Sequence, residues 1–202
     1  NVEYKQYSYD LNGNITRFDL PGNVPNNSET TTREINKERD QIQTVTYPDG
    51  KTMAISYDPD GNLTKKIITK PSGTQTIIDY EYNSFNGLTQ VKTDGVVQAE
   101  YGYDSKGLMV YSNVTDPASS VRSGKKYYYW DVGGQCVGEG HTSYGDHVVR
   151  YIYSGNEKIA MVRPKDLNNL SAGEEIYWFI NNLQGTPIRI VDEDKKMVSG
   201  DE

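Results

Sequence analysis

Apolar and polar residues alternate along most of this chain in short runs, and turn residues separate the runs. Thr44-Val45-Thr46-Tyr47 and Met53-Ala54-Ile55-Ser56-Tyr57 are two of them. A period of two over four to eight residues marks a half-buried strand. Turn signals stand between the runs: Pro48-Asp49-Gly50, Pro71-Ser72-Gly73, Asp94-Gly95, Gly133-Gly134 and Ser154-Gly155-Asn156. The pattern predicts short antiparallel hairpins in succession, an all-β meander that grows unit by unit. Two stretches depart from it. Residues 21–37 are polar and read as a long loop, with one or two helical turns over 33–41. Residues 164–174 read as a second polar loop, on a sheet edge.

One unit recurs. Tyr7-Ser8-Tyr9-Asp10-Leu11-Asn12-Gly13-Asn14-Ile15-Thr16 returns as Ile55-Ser56-Tyr57-Asp58-Pro59-Asp60-Gly61-Asn62-Leu63-Thr64. It returns again as Tyr80-Glu81-Tyr82-Asn83-Ser84-Phe85-Asn86-Gly87-Leu88-Thr89 and as Tyr101-Gly102-Tyr103-Asp104-Ser105-Lys106-Gly107-Leu108-Met109-Val110. The segment from Asn36 to Val45 holds a degenerate copy with Ile42 as its aliphatic. Tyrosine-led strands at Tyr127-Tyr128-Tyr129-Trp130, Tyr151-Ile152-Tyr153 and Tyr177-Trp178-Phe179 continue the period, giving about seven to eight units in a single region over 1–202. Each unit has a turn chemistry. Asp10, Asp58 and Asp104 suit the first position of a type I turn, where a carboxylate accepts backbone N–H groups. Gly13, Gly61 and Gly107 take the left-handed position of a bulged three-residue hairpin. In the third copy Asn83 and Asn86 fill these two places, and Asn tolerates positive φ better than most residues.

Composition supports strands. Val 16, Ile 14, Thr 16 and Tyr 17 stand against Leu 8 and Ala 5, which argues against helices. The 17 tyrosines sit in a chain only 35% hydrophobic, so they supply much of what holds it folded. A net charge of −7 disfavours phosphate-backbone binding, and no nucleic-acid partner is expected. No stretch is apolar for long enough to span a membrane as a helix. The chain shows no leader-like segment. The lone Cys136 excludes an internal disulfide.

These units resemble the YD-repeat, or Rhs, family. The carrying residues are Tyr57-Asp58-Pro59-Asp60-Gly61-Asn62-Leu63-Thr64 and its siblings, with Tyr9, Tyr82 and Tyr103 at the equivalent tyrosine. Tyr128-Tyr129-Trp130-Asp131-Val132-Gly133-Gly134 is similar to the family's tyrosine-rich strand and Gly-rich turn. The block from Asn181 to Asp192, with Leu183, Gly185, Thr186 and Pro187, is similar to a segment near the end of such repeat regions. Asn181 and Gln184 depart from its usual residues, and Lys195 stands where a turn glycine is usual. The family includes bacterial polymorphic toxins, the B–C pair of insecticidal toxin complexes and animal teneurins. The resemblance implies an extended, twisted and curved sheet forming part of a β-shell. It also implies a structural role in a larger secreted or cell-surface protein. In toxins of the family the shell encloses a C-terminal toxic domain; in teneurins it belongs to an adhesion ectodomain. The implied partners are the rest of the parent shell and the enclosed domain. The chain reads as the C-terminal part of a repeat region, without the autocleaving Asp-Pro-rich motif. Exposed sheet edges would then favour self-association.

Candidate chemistry competes with this architecture at few places. Asp58-x-Asp60-x-Asn62 and Asp10-x-Asn12-x-Asn14 space oxygens as calcium loops do, but the glycine falls too early and no bidentate Glu follows. Hairpin geometry accounts for the same residues. Cys136, His141 and His147 lie close in sequence; the Gly-rich segment from Gly138 to Asp146 reads as a hairpin loop, and two His and one Cys are too few for a closed zinc site. No catalytic residue, metal or cofactor is assigned. Tyrosine-lined strands could stack against sugars, so the alternative function is a recognition or adhesion module for a glycan or surface protein. A tyrosine repeated at every hairpin start suits cross-strand packing instead. The Asn-x-Ser/Thr sites at Asn14, Asn26, Asn62, Asn113 and Asn169 carry no independent sign of glycosylation.

Overall fold

The computed structural model describes residues 6–20, 29–115, 124–141, 145–166 and 169–198. They form strands β1 (Gln6–Tyr9), β2 (Ile15–Leu20), β3 (Glu29–Asn36), β4 (Gln41–Thr46), β5 (Thr52–Tyr57), β6 (Leu63–Thr69), β7 (Gln75–Tyr82) and β8 (Leu88–Thr93). Then come β9 (Val96–Tyr103), β10 (Met109–Val114), β11 (Gly124–Trp130), β12 (Cys136–His141), β13 (Gly145–Ser154), β14 (Glu157–Pro164), β15 (Glu174–Asn181) and β16 (Pro187–Val191). The strands form one open sheet in which each is hydrogen-bonded to its sequence neighbours in antiparallel pairs. The protein is therefore the all-β hairpin array that the alternation predicts. It divides into two compact units, Asn1–Gln98 and Ala99–Glu202.

In the first unit, β5 to β8 line up charged and polar residues across the strands. Ser56 faces Lys65, Lys65 faces Asp79 and Asp79 faces Lys92 across three ladders. Lys65 and Asp79 form an ion pair at 3.1 Å. Pairs this exposed contribute little. Asp94 and Gly95 both have positive φ, 50° and 79°, the requirement of a two-residue type I′ hairpin. Two expectations are corrected here. The segment 29–36 is strand β3, and residues 37–40 are a turn, with no helical turn between 33 and 41. Thr30, Thr31 and Thr32 are β-branched and pair with Asp19, Phe18 and Arg17, so strand propensity wins over the polar character of the segment. The rest of the expected loop, 21–28, lies outside the described residues.

In the second unit, glycines lie opposite tyrosines. Tyr111 pairs with Gly102, Tyr127 with Gly140 and Tyr129 with Gly138. A Cβ on Gly102 would come 2.1 Å from Cε1 of Tyr111, so the ring lies directly on the glycine backbone. The Lys125 ammonium sits 4.0 Å from the centroid of that ring. Residues 138–141 are therefore strand rather than hairpin loop, a correction with a packing cause: the missing side chains leave room for the rings. The loop between β14 and β15 contains a 3₁₀ turn, Leu170–Ala172, whose start is capped by the Asn169 side chain accepting from the Ser171 N–H.

Burial is shallow throughout. Val45, Ala99, Ala160 and Tyr177 are the buried apolar residues, and no large side chain is completely buried among the described residues. A single-layer sheet has no second layer to dry either face.

Candidate functional site

The residues singled out by the repeat converge at the turn end of each hairpin. The chain enters the turn through an Asp or Asn whose side-chain oxygen collects backbone N–H groups. Asp10 Oδ1 accepts from Asn12 at 3.0 Å and Asn14 at 2.9 Å. Asn83 Oδ1 accepts from Phe85 at 3.0 Å and Gly87 at 2.9 Å, and Asp104 Oδ1 from Lys106 at 2.8 Å and Leu108 at 2.9 Å. Asp58 accepts from the Asn62 N–H at 2.8 Å and from its carboxamide at 2.9 Å. Asn182, in the Leu183-Gln184-Gly185-Thr186 block, does the same for Gln184 and Thr186, ahead of Pro187. The left-handed position is Gly13 (φ 86°), Gly61 (92°), Gly107 (81°), Gly185 (76°) and Asn86 (61°). These oxygens face amide donors, so the calcium-like spacing is the geometry of a turn.

The carboxylates feel their donors. The Asn14 N–H, with further help from the Asn14 carboxamide and neighbouring N–H groups, holds the Asp10 carboxyl below the usual range. The Asn62 carboxamide, followed by backbone donors, does so for Asp58. Both groups stay ionised in the folded chain at pH values where the unfolded chain is already protonated. Their contribution is complete above the ordinary carboxylate pKa and is lost as pH falls through the lowered folded values. Urea midpoints of the double variant Asp10→Asn/Asp58→Asn should therefore fall less between pH 5 and pH 3 than those of the parent. An unchanged acid slope would remove these two turns from the acid response.

The tyrosine before the Asp or Asn has a separate task. Ladder register shifts where each hairpin enters its turn, at Ser56/Tyr57, Glu81/Tyr82, Tyr129/Trp130, Ile152/Tyr153 and Ile180/Asn181. On the return strand, pairing with the next hairpin begins two residues later. It begins at Thr44 rather than Ile42, Lys65 rather than Leu63, Tyr111 rather than Met109, Gly138 rather than Cys136, and Ala160 rather than Lys158. The next hairpin spans each gap with one side chain. Tyr57 donates its hydroxyl to the Ile42 carbonyl at 3.1 Å, Tyr82 to Leu63 at 3.0 Å and Tyr153 to Cys136 at 2.9 Å. Trp130 Nε1 donates to the Met109 carbonyl at 2.7 Å, and Asn181 Nδ2 to the Lys158 carbonyl at 2.9 Å. Burial is the main cause that pushes the hydroxyls of Tyr82, Tyr103 and Tyr153 above their ordinary pKa. Phe could fill these gaps but could not satisfy the carbonyl. Tyr9, in the first described hairpin, is 60% exposed.

Amide side chains also tie turn to turn, which sequence reasoning missed. Asn12 and Asn14 donate to Asp40 Oδ1 at 2.7 and 3.0 Å, and Asn62 donates to Asn86 Oδ1 at 2.9 Å. Gln135 donates to the Gly155 carbonyl at 2.9 Å. Asp40 and Asn86 both have positive φ, 53° and 61°, where glycine would be less strained. Their side chains are the acceptors for the preceding turn, which offsets that strain. Lys195 has φ 62° in a turn of the same form, closed by Lys196 N donating to Asp192 Oδ1 at 2.8 Å. Its ammonium has no comparable acceptor role. Lys195→Gly should stabilise by about 0.5–1 kcal/mol, the left-handed penalty of about 1–2 kcal/mol less the entropy glycine loses on folding, while Asn86→Gly should gain nothing net because Asn62 loses its acceptor. Thermal melts of the two variants check this.

The other candidates separate. Cys136 and His141 stand five residues apart in one strand, roughly 16 Å, too far to act together. The Cys136 thiol points to the Gly138 carbonyl at 3.5 Å, and burial is the main cause that pushes its pKa up. The His147 side chain lies outside the described residues.

The geometry defines a class: a sheet of consecutive hairpins with Asp or Asn turns, five of them stapled to the hairpin before by an entry side chain. The chain matches the teneurin YD-shell family over residues 1–172 and belongs to that family. No curated protein sequence matches it. Its fold is similar to that of the TcdB2–TccC3 complex without the hypervariable C-terminal region, with a TM-score of 0.63, 13% identity, and coverage of 95% of this chain and 11% of that one. A second TcdB2–TccC3 structure gives 0.61, 13%, 94% and 11%. The Photorhabdus luminescens Tc holotoxin pore gives 0.59, 13%, 94% and 11%. This chain thus spans about a tenth of each of these structures, and it is a structural segment of a shell.

Proposed function

We propose that this chain is a length of wall in a non-catalytic shell that surrounds another domain of the same protein, and that the parent acts outside the cell. The supporting observation is the staple at the turn end of successive hairpins, because its side chains are engaged by main-chain carbonyls and serve wall integrity. Tyr9, Tyr57, Tyr82 and Tyr103 with Asp10, Asp58, Asn83 and Asp104 are the determinants of that wall, together with Gly13, Gly61, Asn86 and Gly107. Leu183, Gly185, Thr186 and Pro187 shape its last hairpin. The partners are the neighbouring repeats of the parent and the domain it encloses.

The test uses the full-length parent with a protease-cleavable epitope in the domain that follows the shell. In the native protein the epitope should resist cleavage. In the double variant Tyr82→Ala/Tyr153→Ala it should become cleavable before the sheet unfolds globally. An epitope cut equally fast in the native parent would overturn encapsulation.

A further inference from the structure

We infer that the turn rim of this sheet is a joint, and that it seats the rim of another course of the same parent wall, made by chain outside residues 1–202. The joint presupposes the enclosing wall proposed above. Four side chains carry it. Leu11, Phe85, Val132 and Leu183 stand at hairpin tips, each between the Asp or Asn that opens the turn and the residue of positive φ that closes it: Gly13, Asn86, Gly134 and Gly185. Leu11 and Phe85 belong to the first unit, Val132 and Leu183 to the second. Phe85 is 83% exposed, and the other three stand almost wholly in water. Turn chemistry does not require them. Sister turns of the same form carry Asp60 and Lys106 in the same interval, and each turn is closed by its Asp or Asn side chain and by the backbone. The opposite rim of the first unit differs: Pro48-Asp49, Pro71-Ser72 and Asp94 are its described tips, and the exposed Val96 there belongs to β9 rather than to a turn. All eight turns of the apolar rim lie among the described residues. A single exposed apolar residue is ordinary; the same exposed position in four turns of one rim is a surface.

Direction selects the occupant. A hairpin tip projects along its strands, in the plane of the sheet, whereas an enclosed domain or an outside partner packs on a face. Repeats adjoining in sequence attach at the sheet edges, β1 and β16, through backbone ladders. What a rim meets is therefore wall that is distant in sequence. Height gives the same answer. Most strands run six to eight residues, about 20–26 Å. A domain of about 100 residues has a radius of gyration of about 13 Å and is about 34 Å across. One course is too low to cover it, so courses must abut. Girth places the abutting rim. Encircling such a domain takes about 105 Å, or about 22 strands at 4.8 Å each. The sixteen described strands do not complete one course, and this length of chain is about a tenth of each related structure. Backbone ladders do not cross the joint, because the turns close on their own N–H and carbonyl groups. Apolar tips supply the contact instead, by leaving water together.

The experiment replaces Phe85 of the full-length parent by the photo-crosslinking residue p-benzoylphenylalanine, and Leu183 in a second variant. Both positions are exposed tips, so the variants keep the fold. Linked peptides are mapped by mass spectrometry after irradiation. Crosslinks are expected within one copy, to turn residues outside 1–202, with a yield that does not fall on dilution. Crosslinks to a second copy or to the enclosed domain, or none from either position, would each overturn the joint. The protease-cleavable epitope, read on the same parent, keeps joint and shell apart. An epitope that resists cleavage while neither tip crosslinks removes the joint and leaves the shell. Tips that crosslink as expected beside a freely cut epitope remove encapsulation and leave the contact between courses.

Discussion

Replacing Gly102 by alanine is expected to destabilise the second unit by about 2–3 kcal/mol, as overpacking does. The added methyl would sit 2.1 Å from the Tyr111 ring, with Cδ1 and Cζ of the same ring also inside 3 Å. No small adjustment relieves three ring atoms at once, so Tyr111 must swing off the strand. It then leaves Lys125, whose ammonium lies 4.0 Å from its centroid, and uncovers the backbone of β9. Gly13→Ala is the contrast. Nothing lies within 4 Å of a Cβ there, but φ is 86°, so its cost is conformational alone, about 1–2 kcal/mol. Combining Gly102→Ala with Tyr111→Ala should remove most of the Gly102 penalty, because the ring that causes it is gone. Urea unfolding followed by circular dichroism reads all three. A Gly102→Ala penalty that survives in the Tyr111→Ala background would show that the ring is not its cause.

Tyr82 carries the second large effect. Tyr82→Phe keeps the ring and loses the hydroxyl that the Leu63 carbonyl accepts at 3.0 Å. The expected cost is about 1 kcal/mol. Tyr82→Ala also removes the ring that spans the gap between hairpins, and the cost should rise to about 3 kcal/mol, the low end for a large aromatic because this one is only half-buried. Tyr57 and Tyr153 should behave alike, since their hydroxyls end on the Ile42 and Cys136 carbonyls. Tyr9→Phe should stay within about 0.5 kcal/mol, as surface substitutions do. Equal losses for Tyr9→Phe and Tyr82→Phe would sink the staple and leave tyrosine as a general strand former.

What the chain discloses in advance follows from which atoms carry residue identity. The Asp and Gly of each turn are legible because their side chains, or the lack of one, perform the function directly. Asp58 holds N–H groups with its own oxygens, and Gly61 adopts a φ that other residues resist. The tyrosines announce strands, but their acceptors are main-chain carbonyls, which no residue type labels. The staple therefore emerges only with the register. Ile42 marks the degenerate second hairpin, while its entry residue, Ile35, hides it by lacking the ring. Segment 29–36 reads as loop because threonines, Glu and Arg mask a strand whose signal is β-branching rather than hydrophobicity. Gly138 and Gly140 read as loop for a related reason: a strand glycine makes sense only once Tyr129 and Tyr127 are known to lie opposite.

The ladder that stops two residues short makes one side chain per hairpin into a spacer. Within a ladder, backbone hydrogen bonds fix neighbouring strands about 4.8 Å apart whatever their sequence. Beyond the last pair that constraint lapses, and the separation depends on how far the reaching side chain extends. Tyr57, Tyr82 and Tyr153 reach with a phenol, Trp130 with an indole and Asn181 with a short carboxamide. The contact that replaces the ladder is thus written at single positions, and a substitution there alters the spacing of two hairpins without touching a strand.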